Sequence, residues 1–162
     1  MGTWVSRGYV NTDVRRRVAA RADGLCEYCL VHDDHTYNGC EVDHIRSIKH
    51  GGSDEFRNLA FACFKCNRSN GTDIGSILPR QDTFTRLYDP RIDPWARHFR
   101  LDHGIFIIGI TEIGTATARV LKLNAWNRVA EREVLRDFGL YPLPAARKRM
   151  MPADESAQPG PG

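Results

Sequence analysis

The stretch that decides the fold runs over residues 26–71 and reads CEYCLVHDDHTYNGCEVDHIRSIKHGGSDEFRNLAFACFKCNRSNG. It contains two Cys-x-x-Cys pairs, formed by Cys26 with Cys29 and by Cys63 with Cys66. Two such pairs supply four thiolates, which is the ligand set of a tetrahedral structural zinc site with no open coordination position. The spacing therefore predicts that these four cysteines bind Zn²⁺ and that this ion is structural, not catalytic.

The paired cysteines leave one alternative open, because a Cys-x-x-Cys pair can also be a redox-active dithiol. A redox protein would have a reactive pair and would need no particular side chains between the two pairs. Thiols stay reduced in the cytoplasm, where metal sites are commoner than disulfides. We therefore expect a cytoplasmic metal protein, with the fifth cysteine, Cys40, as a buried core thiol.

The composition is that of an ordinary globular chain. With 162 residues, 41% of them hydrophobic, the sequence fits one domain, or a small catalytic unit with an accessory segment. No run approaches the roughly 18 apolar residues of a membrane span, and residues 1–10 lack the pattern of a secretory signal. We expect neither a membrane protein nor a secreted one. The net charge of +3 is only a weak sign of a polyanionic partner.

Short helices and strands are expected around the cysteine pairs. Apolar residues at helical spacing predict a helix over residues 12–22. Residues 40–45 and 59–62 each predict a short strand, and residues 63–70 predict a helix that Gly71 ends. The expected order is thus helix, strand, strand, helix.

Four further motifs lie between and beside the cysteine pairs: Asp43-His44-Ile45, Gly51-Gly52, Asn58-Leu59, and Asn67 directly after Cys66. In this order, and together with the cysteines, they resemble the HNH endonuclease family in its four-cysteine branch. The resemblance covers residues 12–71, and its third signature position is asparagine where the family name implies histidine. It implies an α+β fold class with a ββα-metal HNH core. In such a core a two-stranded hairpin and a helix grip one divalent ion, here beside the four-cysteine zinc knuckle.

The resemblance also implies roles for four residues. His44 would be the general base that deprotonates the attacking water, Asp43 and Asn67 would hold a catalytic divalent cation, and Asn58 would brace the loop that carries His44. General chemistry agrees, because an imidazole titrates close to neutral pH and can take a proton from water. Carboxylate and amide oxygens suit Mg²⁺ or Mn²⁺. The implied reaction is hydrolysis of phosphodiester bonds in nucleic acid, with DNA as the expected partner.

A zinc-stabilised nucleic-acid-binding module without catalysis is the alternative from another class. Its distinguishing feature would be the loss of Asp43, His44 or Asn67, and none of these is lost. One hairpin-helix site cuts one strand, so double-strand cleavage would need a dimer or two events. The sequence leaves the oligomeric state open.

We expect three parts: a nuclease domain with its zinc knuckle over residues 1–74, an accessory α/β segment over residues 75–140, and a disordered tail over residues 141–162. Prolines, charges and a Pro-Gly-Pro-Gly end favour disorder in the last part. Prolines also interrupt residues 75–95, which predicts a connector that wraps around the domain without folding alone.

The accessory segment is expected to contain one hairpin and two helices. Residues 98–110 predict the hairpin, and residues 114–123 and 124–138 predict the helices, the second with Trp126 and Val134 among its apolar residues. Trp95 and His98, just before the hairpin, are expected to belong to an aromatic turn that packs on the core.

Overall fold

The computed structural model describes residues 11–152, which form six α-helices and six β-strands. The helices are α1 (Thr12–Arg21), α2 (Phe64–Asn70), α3 (Trp95–His98), α4 (Glu112–Val120), α5 (Trp126–Asp137) and α6 (Pro144–Met150). The strands are β1 (Cys40–His44), β2 (Leu59–Cys63), β3 (Gly75–Ile77), β4 (Phe84–Arg86), β5 (Phe99–Asp102) and β6 (Phe106–Gly109). Each odd-numbered strand pairs antiparallel with the next, giving three two-stranded sheets among the described residues. The α+β class is confirmed.

The first hairpin and α2 form the predicted strand-strand-helix unit. The register of β1 and β2 sets Cys40 opposite Cys63 and His44 opposite Leu59. All five residues of β2 are buried. The chain turns from β2 directly into α2, with the Cys66 amide donating to Cys63 Sγ at 3.5 Å. His44 therefore lies at the carboxyl end of β1, beside the loop that leads to β2.

Helix α1 packs against this hairpin and fixes the start of β2. The Asn11 side chain caps it by accepting from the Asp13 amide at 3.0 Å, and Val18 is fully buried in the core. Near the end of α1, the Arg21 guanidinium donates to the carbonyls of Phe56 and Leu59 at 2.8 Å and 2.5 Å. The helix thus holds both sides of the turn from which β2 begins.

The C-terminal region, residues 75–152, is more structured than the sequence predicted. Residues 75–95 are not merely a connector, since β3 and β4 pair with Gly75 opposite Arg86. Each of these strands has three residues, too few for an alternating pattern to stand out from the sequence. The second predicted hairpin is confirmed as β5 and β6, and the two predicted helices as α4 and α5. Among residues 11–152, no helix has the length and apolar character needed to cross a membrane.

The prediction of a disordered tail is wrong for the beginning of that tail. Residues Pro144–Met150 form α6, with proline in its first turn. Tyr141 and Ala146 are buried, and the Arg149 guanidinium donates to the Arg21 carbonyl of α1 at 3.1 Å. A few anchoring contacts to distant elements are enough to order this segment, and composition does not reveal them. The rest of the predicted tail, residues 153–162, lies outside the described residues.

Candidate active site and metal centre

The four paired cysteines converge in the core. Their Sγ atoms all lie within 4.8 Å of one another, and the Cys29 and Cys63 sulfurs are 3.7 Å apart. A tetrahedral zinc ion about 2.3 Å from each sulfur would set the sulfurs about 3.8 Å apart, whereas a disulfide needs about 2.05 Å. All four residues are buried and free of disulfides. The predicted cluster of Cys26, Cys29, Cys63 and Cys66 is confirmed as positioned to bind a metal.

Local backbone structure presents each cysteine pair to the cluster. In the first pair, the Cys26 amide donates to the Val31 carbonyl at 2.9 Å, and the Cys26 carbonyl accepts from the Leu30 amide at 2.9 Å, which closes a tight knuckle. The second pair joins the end of β2 to the first turn of α2. Burial raises the pKa of the Cys26 and Cys66 thiols, which disfavours their thiolate forms. A bound cation would stabilise these thiolates, because metal ligands must be deprotonated. Cys40, the fifth cysteine, is buried as expected and lies outside this cluster.

A buried arginine of α5 completes the surroundings of the sulfurs. Arg128 is 4% exposed, and its Nη2 lies 2.9 Å from Cys66 Sγ and 3.8 Å from Cys63 Sγ. Its Nη1 donates to the Leu121 carbonyl at 2.6 Å. The sequence reasoning missed this residue. The sequence offered one sign of it: Arg128 and Arg132 are four residues apart, so they lie on the same face of the helix, and Arg132 is also buried.

The first cysteine knuckle is also held by the C-terminal region. Trp95 Nε1 donates to the Tyr28 carbonyl at 2.9 Å, and the Tyr141 hydroxyl donates to the Cys29 carbonyl at 3.0 Å. The expectation that Trp95 and His98 pack on the core is confirmed by their burial. These bonds satisfy carbonyls of a turn that has few backbone partners of its own.

Glu27, one of the two residues between Cys26 and Cys29, has a buried carboxylate. It is 2% exposed and accepts from the Phe61 amide at 2.9 Å. Arg91 of the C-terminal region forms an ion pair with it. A buried carboxylate is costly without such a partner, so the C-terminal region also neutralises a charge inside the metal-binding segment.

Two of the predicted nuclease residues, Asp43 and His44, lie at the end of β1. Asp43 is 8% exposed, and its Oδ2 accepts from Asn70 Nδ2 at 3.1 Å. Burial raises the pKa of the Asp43 carboxyl to about 6, although the Asn70 hydrogen bond and His44 act in the opposite direction. A carboxylate held in such an environment gains from a nearby cation, because the cation favours its charged form.

The two asparagines of α2 face two carboxylates of β1. Asn67 Nδ2 donates to Glu41 Oε2 at 2.8 Å, one helical turn away from the contact between Asn70 and Asp43. The structure therefore brings Asn70, and not Asn67, into contact with Asp43. Side chains two apart on a strand share a face, and those three apart on a helix do too, which explains the two parallel pairs. Asn70 was not singled out from the sequence, where it marks only the end of a helix.

His44 is paired with a carboxylate that the sequence reasoning also missed. Its Nε2 lies 2.7 Å from Asp54 Oδ1, and 25% of the His44 side chain is exposed. Asp54 follows the Gly51-Gly52 turn, so the chain must fold back across ten residues to make this contact. The pairing orients the imidazole and directs Nε2 towards Asp54.

Asn58 ties together the loop between β1 and β2. Its Oδ1 accepts from the Arg46 amide at 2.9 Å, and its Nδ2 donates to the carbonyls of Arg46 at 2.9 Å and Ser53 at 2.8 Å. Gly52 packs into the same turn, where an added Cβ would lie 1.7 Å from the Arg46 carbonyl oxygen. A side chain at this position is sterically excluded, so close packing explains Gly52, whereas Gly51 has a left-handed backbone conformation with φ of 77°.

An open cleft of about 550 Å³ lies beside this loop. Its lining includes Ile45, which follows His44 directly, and three arginines: Arg46, Arg57 and Arg91. The Arg57 side chain is 84% exposed, with Glu55 as its ion-pair partner. Because Arg91 comes from the C-terminal region, this region forms one wall of the cleft next to the predicted site.

The stretch of sequence that carries these residues is also recognised in a comparison with known protein families. Residues 26–73 match the family model of the HNH endonucleases. This segment, called the HNH segment below, contains every predicted site residue, and it agrees with the strand-strand-helix unit and the cysteine cluster seen in the structure. No curated protein matches the chain, and no solved structure does.

Proposed function

We propose that this protein is a metal-dependent endonuclease that hydrolyses phosphodiester bonds in DNA. The observation that carries the proposal is the end of β1, where a buried carboxylate, Asp43, is followed by a carboxylate-paired imidazole, His44, in a segment that matches the HNH family. A general base next to a hard oxygen ligand is the combination that metal-assisted hydrolysis requires.

His44 acts as the general base in this proposal. With Nε2 donating to Asp54, the neutral tautomer leaves the Nδ1 lone pair to accept a proton from water. The Asp54 carboxylate stabilises the imidazolium that results, as a carboxylate does beside the histidine of other hydrolytic sites. Asn58 keeps the loop after His44 in place through three hydrogen bonds.

Asp43 and Asn67 are proposed to hold one Mg²⁺ or Mn²⁺. A carboxylate and an amide oxygen fit the donor preference of these hard cations. When bound, such an ion stabilises the negative charge that develops on the phosphate. Asn70 keeps the Asp43 carboxylate oriented through its hydrogen bond, and Asn67 lies on the same helix face, one turn earlier.

The four-cysteine cluster is proposed to hold Zn²⁺ as a structural ion. Four sulfur ligands close the coordination sphere, so this zinc shapes the HNH segment and has no part in the chemistry. Five free thiols among the described residues suit a reducing compartment such as the cytoplasm. Arg46 and Arg57 at the cleft supply positive charge for phosphate contacts.

Nicking of supercoiled plasmid in the presence of Mg²⁺ or Mn²⁺ tests the proposal. We expect His44→Ala to cut at least about 100-fold more slowly than wild type, since general-base contributions are typically 10²–10⁴-fold. His103→Asn is the matched control. His103 lies in the exposed turn between β5 and β6 with a positive φ, which asparagine tolerates, so this variant should cut normally. Equal activity of wild type and His44→Ala would overturn the catalytic assignment, and DNA binding without any cutting would favour a non-catalytic binding module.

A further inference from the structure

The buried guanidinium of Arg128 stands in an unusual position for a charged side chain. It lies 4% exposed in the core, where an unpaired charge is strongly destabilising. Two of its nitrogens have defined partners, Nη2 at the sulfurs of Cys66 and Cys63 and Nη1 at the Leu121 carbonyl. Its one buried nitrogen without a hydrogen-bond partner is Nε. The sulfurs are therefore the anionic group that can balance its charge.

The negative charge of the metal-loaded cysteine cluster would be stabilised by a nearby cation. A divalent ion with four thiolates carries a net charge of about −2, and the cluster is fully enclosed by the core. The neighbouring cation of α2, Lys65, is engaged elsewhere, with Glu131 Oε2 at 2.9 Å. The second buried arginine of α5, Arg132, donates to the carbonyls of Ile105 and Leu123. Among the described residues, Arg128 is the cation in hydrogen-bond contact with the sulfurs.

We propose that Arg128 is a positioning residue of the metal centre: it donates to the Cys66 thiolate and offsets the negative charge of the four-sulfur site. The HNH segment thus supplies the four ligands, and α5, far outside that segment, supplies the charge that makes the buried site favourable. Hydrogen-bond partners of metal ligands typically change metal affinity by about 10–100-fold. The inference rests on the proposed zinc occupancy of the cluster and not on nuclease activity.

The geometry also explains why arginine stands at this position. One arm of the planar guanidinium reaches the sulfurs while the other donates to the end of α4 at Leu121. A lysine offers a single ammonium on a flexible stem and cannot hold this fork geometry. Arg128→Lys therefore keeps the charge but loses part of the positioning, and Arg128→Met removes both.

The first measurement is the zinc affinity of the folded full-length protein, by competition with a chromophoric chelator at neutral pH. We expect Arg128→Met to bind zinc about 10–100-fold more weakly than wild type, with Arg128→Lys in between. Arg136→Met is the matched control. It removes one positive charge from the same helix, but its hydrogen bonds go to Asp137 and the His103 carbonyl, and it should bind zinc like wild type.

A second pair of readouts separates positioning from a general loss of stability. In Co²⁺-substituted protein, removal of the donor should shift the sulfur-to-metal charge-transfer band to lower energy, because the sulfur lone pairs lose a stabilising hydrogen bond. In zinc-loaded protein, alkylation of the thiolates should be faster in Arg128→Lys than in wild type, because a sulfur that accepts a weaker hydrogen bond is a better nucleophile. If Arg128→Met does not fold, the three measurements on Arg128→Lys test the inference by themselves. An unchanged zinc affinity, Co²⁺ band and alkylation rate in that variant would overturn the inference. Wild-type protein without zinc would instead refute the proposed zinc site itself.

Discussion

Replacement of Asn58 by alanine is the sharpest test of how the loop between β1 and β2 serves the site. The change removes three hydrogen bonds, of 2.9, 2.9 and 2.8 Å, that tie Arg46 to Ser53 across the loop. Each such bond contributes about 1 kcal/mol net, and Asn58 is only half-buried, so water replaces part of what is lost. We expect the free energy of unfolding to fall by about 1–3 kcal/mol.

The effect on activity should exceed the effect on the amount of folded protein. Arg46 lies two residues after His44, so a loosened loop displaces the imidazole from Asp54. Misplacement of a catalytic group by about 1 Å can cost about 100-fold in rate, and we expect plasmid nicking to slow by about 10–100-fold. Zinc content should remain that of wild type, because no bond of Asn58 reaches the cysteine cluster.

Two variants make the experiment decisive. Asn58→Asp keeps the acceptor for the Arg46 amide but loses both donors and sets a carboxylate against two carbonyls, so it should be no better than alanine. Asn127→Ala, on the exposed side of α5, should leave both quantities unchanged. Urea unfolding followed by circular dichroism gives the stability, and plasmid nicking gives the rate. An Asn58→Ala protein within about 0.5 kcal/mol of wild type that nicks at the wild-type rate would refute the bracing role.

Three further outcomes follow from other contacts. Cys63→Ser should lose zinc and unfold, or become strongly destabilised, since apparent zinc binding energies of about 10 kcal/mol or more support folding; a stable, zinc-loaded variant in metal analysis and thermal melting would contradict this. Trp95→Phe should lower stability by about 1–3 kcal/mol, because the buried Tyr28 carbonyl loses its donor, which urea unfolding can measure. Burial of Asp93 favours its neutral form, but hydrogen bonds from Arg86 and the Asp89 amide outweigh this and hold the pKa of Asp93 at about 2. With an ordinary value of 3.8, this depressed pKa stabilises the fold fully above about pH 4 and the gain is lost as the pH falls towards 2. Because the Arg86 side chain is 43% exposed, solvent screening reduces the contribution to about 1–2 kcal/mol. Stability curves of Asp93→Asn and wild type should differ by this amount at pH 7 and converge near pH 2, and a constant difference at all pH values would disprove the linkage.

The strand-strand-helix unit and the cysteine cluster were predictable because their signals are local. Fixed spacing brings Cys63 and Cys66 onto one side of a turn, and short apolar runs between turn residues favour strands. The partners of the site were not predictable in the same way. Asp54 meets His44, and Asn70 meets Asp43, only after the hairpin and α2 have packed, and nothing in the residue types marks these pairs.

Helix α5 shows why pattern reasoning fails where charges are buried. Two of the apolar residues named for this helix in the sequence are on its surface: Trp126 is 84% exposed and Val134 is 55% exposed. Arg128 and Arg132 are buried in their place. A hydrophobicity pattern counts a guanidinium as a solvent-facing group. Here carbonyls and sulfurs of other elements accept hydrogen bonds from the two guanidinium groups, and only the three-dimensional fold determines these contacts.

The bonds from Trp95, Tyr141 and Arg91 to the first cysteine knuckle have a practical consequence for protein engineering. Anyone who wished to graft the HNH segment onto a DNA-targeting domain would have to transplant residues 75–150 with it. A graft that ended at residue 74 would lack Trp95 and Tyr141, which pack on the knuckle. It would also leave Glu27 and the sulfur cluster without their positively charged partners, Arg91 and Arg128. The match to the HNH family ends at residue 73, whereas the contacts that hold the first cysteine knuckle extend to Tyr141.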